Sequence, residues 1–132
     1  MQPFIALASL AVAGYSYASP TPAGNYVPGQ CTMHVTQYQK NENGVGGAYQ
    51  FDVRIMDAIG ALVGGVNRLS VIDFASASVS SELPYQVVIS VGSVDSDEVR
   101  FAYAGAAFSS SSGCSTGGYE DGNRDMDCGF PC

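Results

Sequence analysis

Tyr49-Gln-Phe-Asp-Val-Arg-Ile-Met56 sets Tyr49, Phe51, Val53 and Ile55 against Gln50, Asp52, Arg54 and Met56 in strict alternation. Side chains of an extended chain point to opposite faces at each step, so this period of two predicts a strand with one buried face. Tyr85, Val87, Ile89 and Val91 repeat the pattern, as do Val99, Phe101 and Tyr103 against Glu98, Arg100 and Ala102. Cys31-Met33-Val35 and Leu69-Val71 are shorter versions. The alternation assigns Phe51, Val53, Ile55, Val87, Ile89, Phe101 and Tyr103 to the core, and it commits Tyr49 and Tyr85 there as well.

Turn chemistry separates the runs. Asn41 to Gly47 is a loop with an Asn-Gly pair, while Asp57 to Gly60 and Gly64-Gly65 read as hairpin turns. Pro84 opens a strand, where a missing donor is tolerated, and Ser93 to Asp97 joins two strands. Residues 75 to 81 are too rich in serine to assign. Nothing resembles an amphipathic helix of useful length. The expected fold is all-β: an antiparallel β-sandwich or flattened barrel of about seven short strands, stapled by disulfides. Ser109 to Ser112 reads as a flexible approach to the C-terminal segment.

Residues 1–18 read as a signal peptide. Phe4 to Gly14 is an apolar run too short to span a bilayer, and the small residues Ser16 and Ala18 stand where a signal peptidase cuts. About 114 residues are then left, the size of one domain. Residues 19–30 form a Pro/Gly-rich lead-in, and 31–132 a single β domain. Three of the four cysteines lie in its last nineteen residues, 114–132, which read as a covalent clasp. In an oxidising compartment Cys31, Cys114, Cys128 and Cys132 are expected to be paired. Cys114–Cys128 with Cys31–Cys132, and Cys128–Cys132 with Cys31–Cys114, both make sense of the spacing. A zinc site from Cys114, Cys128, Cys132 and His34 is the competing use, which secretion disfavours. The clasp has few apolar side chains, with Phe130 the one sizeable anchor, so covalent closure is expected to do most of its positioning.

Twelve acidic residues against five basic ones give a net charge of −7. Such a surface repels phosphate backbones and anionic headgroups, which argues against nucleic acid and against lysis of anionic membranes. No Asn-x-Ser/Thr acceptor occurs. Chemistry is scarce: His34 is the single histidine, on a strand face with Thr32 and Thr36, and no G-x-S-x-G elbow accompanies it. No catalytic residue is assigned. Tyr119, Glu120, Asp121, Arg124, Asp125 and Asp127 make the candidate binding surface. Their carboxylates, with Asp95, Asp97 and Glu98, leave calcium as a weaker alternative to having no cofactor. Neither run has EF-hand spacing.

The segment Cys31 to Glu42, Leu83-Pro-Tyr85, Phe101-Ala-Tyr103 and the ending Gly117 to Cys132 together resemble a group of small secreted proteins of filamentous, often plant-associated, fungi. The resemblance covers nearly all of the mature chain, and the ending is its most specific part. It implies a candidate effector or cell-death elicitor, broadly similar to hypersensitive-response elicitors, and it carries no catalytic residues over. The expected function is therefore non-enzymatic, binding a host or cell-wall partner outside the cell. The alternative is a small secreted hydrolase or carbohydrate-binding module using loop carboxylates and tyrosines.

Overall fold

In the computed structural model, which describes residues 26–132, the alternating runs become two antiparallel sheets. The expected signal peptide and most of the lead-in lie outside the described residues. The strands are β1 (Gln30–Tyr38), β2 (Tyr49–Met56), β3 (Leu62–Val71), β4 (Ser76–Val79), β5 (Val87–Ser90), β6 (Arg100–Tyr103), β7 (Ala106–Ser109), β8 (Cys114–Thr116) and β9 (Asn123–Pro131). One sheet runs β3-β2-β1-β9-β8 and the other β4-β5-β6-β7. The fold is the expected sandwich, with nine strands where the sequence suggested about seven, and with no helix among the described residues.

Period two explains the burial. Met33, Val35, Phe51, Val53 and Ile55 of the larger sheet face Val87, Ile89, Phe101 and Tyr103 of the smaller, and all are buried. A ladder of rings crosses the interface: Phe130 of β9 stacks on Phe108 of β7 at 5.4 Å and tilts against Tyr103 of β6 at 5.2 Å, and Phe108 stacks on Phe101 at 5.4 Å. Such pairs add about 0.5–1.5 kcal/mol each beyond the area they bury.

Four sequence expectations are corrected. Tyr85 is 49 % exposed, because β5 begins only at Val87 and residues 80 to 86, Pro84 included, form the connection before it. Gly64-Gly65 is no hairpin turn but the interior of β3. A Cβ on Gly64 would overlap Ser81, where β3 bridges to the β4–β5 connection, and one on Gly65 would overlap the Val53 carbonyl. Ser109 to Ser112 is a tight turn, with Ser109 buried and its hydroxyl on Glu98 at 2.6 Å. The fourth correction concerns the tail. Phe130 is not its one anchor: the segment, bridged at both cystines, also supplies β8 and β9, and β9 pairs with β1 along that strand's whole length. Met126, Cys128 and Phe130 are buried while Asp125, Asp127 and Gly129 alternate outward.

The disulfides are Cys31–Cys132 and Cys114–Cys128, the first of the two pairings weighed above. All four cysteines are thereby used, which excludes them as zinc ligands. Residues 27 to 29 and the C-terminal Cys132 lie at one end of the sandwich. Gly29 and Cys132 exchange backbone hydrogen bonds, and the Asp57 carboxylate holds the Val27, Ile59 and Ala61 amides.

Candidate functional site

The opposite end of the sandwich carries four loops: residues 39–48, 72–75, 91–99 and 117–122. Side chains from the larger sheet and its loops capture the third loop through its own carbonyls. Lys40 Nζ donates to the Ser93 carbonyl at 2.7 Å, the Tyr49 hydroxyl to Val94 at 2.6 Å, and the Tyr119 hydroxyl to Asp95 at 2.9 Å. Arg124 reaches the Asp97 carbonyl at 3.4 Å. Within the loop the Asp97 carboxylate accepts from the Ser93 and Val94 amides, and Asp95 accepts from the Lys40 amide at 3.0 Å. Burial pushes the phenols of Tyr49 and Tyr119 up to about 12, so both stay donors at every physiological pH.

The other loops are tied into the same network. Lys40 Nζ also pairs with Asp73 at 2.6 Å and lies 4.2 Å from the Tyr49 ring centre. The Asn43 side-chain Nδ2 donates to the Asp121 carbonyl, and the Gln39 backbone amide to that of Gly122. Gln37 is fully buried beneath, accepting from Arg124 Nε at 2.9 Å, while its own Nε2 has no partner. Arg124 in turn sits over the Tyr119 ring at 5.1 Å.

Against this ordered base, three apolar side chains stand out. Ile72 is 69 % exposed, Phe74 79 % and Val94 51 %. Phe74 has φ 58°, a left-handed conformation that costs a bulky residue about 1–3 kcal/mol. It is held there by its amide on the Gly92 carbonyl at 2.8 Å, by the Ala75 amide on Ile72, and by the Asp73–Lys40 pair beside it. The ring borders a cleft of about 260 Å³ lined also by Gly92, Asp97, Glu98 and Arg100.

The two carboxylates of that cleft are committed to the ionised form. Glu98 is lowered from 4.5 to about 2, because the Ser109 and Ser111 hydroxyls donate to it and Arg100 adds a third contact at 3.3 Å. Asp97 is lowered chiefly by the Ser93 and Val94 amides. A carboxyl that is more acidic folded than unfolded contributes stability fully above the unfolded value and loses it as the pH falls. We therefore expect thermal stability to decline between about pH 4.5 and pH 2 as Glu98 takes up its proton. Glu98→Gln should flatten that part of a melting-temperature profile, and an unaltered slope would refute the assignment.

Of the residues the sequence proposed, Tyr119, Glu120, Asp121 and Arg124 lie at this loop end. Asp125 borders it, lining a cleft with Glu120, Asp121, Asn123 and Arg124, while Asp127 sits farther along the outer face of the larger sheet. There Asp127 bonds His34 Nδ1 at 2.7 Å, and Asp125 takes the Thr36 hydroxyl at 2.7 Å with His34 Nε2 at 3.4 Å. Among the described residues no three His, Cys, Asp or Glu side chains converge as a metal would require, so the calcium alternative finds no assembled ligand set. Ile72, Phe74 and Val94 were missed. Their apolar character reads as core, and no periodic pattern marks the left-handed backbone that accompanies the outward Phe74.

No helix among the described residues is long and apolar enough to cross a membrane. Comparison with protein-family models, curated proteins and solved structures gave no match.

Proposed function

We propose that this is a secreted, non-enzymatic binding protein of the fungal effector or elicitor kind, which docks a host or cell-wall partner through the loop end of its sandwich. The observation that carries the reading is Phe74, an aromatic ring held outward in a costly backbone conformation beside Ile72 and Val94. Aromatic and aliphatic groups fixed on rigid loops bind without losing conformational freedom, which is the chemistry of a docking surface. The two disulfides fit an oxidising, extracellular setting. Hydrolysis of a glycoside at the neighbouring cleft fits poorly, since a general acid needs a raised pKa and both carboxylates there are lowered.

The test is leaf infiltration with the purified secreted protein, an Ile72→Ser/Phe74→Ser variant, and a reduced and alkylated control. Both substituted side chains are largely solvent-exposed, so the variant should fold with unchanged circular dichroism. The dose required for the cell-death response is expected to rise by about tenfold or more. A folded variant with full activity refutes the docking role of this end.

A further inference from the structure

We infer that the cleft beside Phe74 receives a lysine or arginine side chain from a basic protein partner. This rests on the loop end being the docking surface and adds what it docks. The loop end gathers Glu42 on the first loop, Asp73 on the second and Asp95, Asp97 and Glu98 on the third, with Glu120 and Asp121 on the fourth. More than half of the twelve carboxylates of the chain thus surround the exposed apolar side chains. Two of the cations at this end are already engaged: Lys40 is largely buried on Asp73 and the Ser93 carbonyl, and Arg124 on Gln37 and the Asp97 carbonyl. What faces an approaching partner is therefore negative, and complementarity selects a basic surface.

The cleft narrows that to a single group. Phe74 shares its lining with the carboxylate residues Asp97 and Glu98, and an aromatic ring beside two carboxylates is a combination that attracts a cation. Arg100 is the one basic side chain lining it, exposed and bonded to Glu98 only at 3.3 Å through Nε. Because it already contacts Glu98 in the cleft, Arg100 competes with a partner cation for that carboxylate. An apolar residue entering the same cleft would leave two ionised carboxylates without new partners, which disfavours it.

Titration of the isotope-labelled secreted protein with blocked Gly-Gly-Arg-Gly-Gly and Gly-Gly-Lys-Gly-Gly peptides, followed by NMR, tests this. Expected are shifts at Phe74, Gly92, Glu98 and Arg100, none with a blocked Gly-Gly-Glu-Gly-Gly control, and affinity falling as salt is raised. Phe74→Leu keeps the apolar bulk but removes the π face, and should weaken the Arg peptide about three- to tenfold. Arg100→Ala should tighten it by a similar factor. Shifts centred on residues 120 to 127, an unchanged affinity in Phe74→Leu, or binding of a glucosamine oligomer in place of the peptides would each overturn the inference. In the leaf assay, full activity of Phe74→Leu together with loss in the double serine variant would leave the docking surface standing and the cation site refuted.

Discussion

Replacing Cys31 and Cys132 together by alanine is expected to lower stability by about 4 kcal/mol, a fall in melting temperature on the order of 15 °C for a domain of this size. The bridge closes a loop of 101 residues, nearly the whole described chain, so its removal releases the unfolded ensemble far more than it disturbs the folded one. In the folded protein β1 and β9 remain paired along their length, and Gly29 still exchanges hydrogen bonds with residue 132 through the backbone. The double variant should therefore keep the wild-type circular dichroism spectrum at 20 °C on the order of full amplitude and differ only in where it melts. Breaking Cys114–Cys128 is a smaller change. It closes only 14 residues of chain and ties the three-residue edge strand β8 to its neighbour, so about 3 kcal/mol is the ceiling and local fraying of β8 the expected form. Equal losses from the two removals would show that strain or residual structure, and not loop length, governs both.

Where one face of a strand is buried and the other wet, the sequence is readable, and β1, β2 and β6 were legible for that reason. The misreadings have separate physical causes. In β4, Ser76-Ala-Ser-Val79 offers too little apolar contrast for a period to register, and the same holds for Ala106-Ala-Phe-Ser109 in β7. Glycine usually marks a turn, but Gly64 and Gly65 are glycine because other backbone passes too close for a side chain. The candidate site was half legible. Charged and aromatic residues of the β8–β9 turn announced an exposed surface, and the structure puts Tyr119 and Arg124 under it as supports. Ile72 and Phe74 belong to residue types that are normally interior, and they flank Asp73, whose pairing with Lys40 and the left-handed turn at Phe74 are features no periodic pattern encodes.

The tail decides most sharply between covalent closure and burial, and Phe130→Ala measures it. If cystines alone positioned residues 114 to 132, truncating one ring would cost little, because both bridges would survive. In the structure Phe130 is buried between the sheets, opposite Cys31 in the β1–β9 register, with Phe108 stacked on one side and Tyr103 tilted on another. The ring joins the larger sheet to two strands of the smaller one, so its loss leaves a cavity at the interface that neither sheet can close alone. A fall of about 3–5 kcal/mol is expected, read as a denaturation midpoint shift with both disulfides confirmed intact by the absence of free thiols. The Met126→Ala variant, two inward positions closer to the loop end, should cost about 2–5 kcal/mol by the same mechanism, whereas Asp127→Ala on the outward face should change stability by less than about 1 kcal/mol. Inward losses well above the outward one would establish β9 as a core strand. A Phe130→Ala loss below about 1 kcal/mol would return the tail to the role of a clasp held by sulfur.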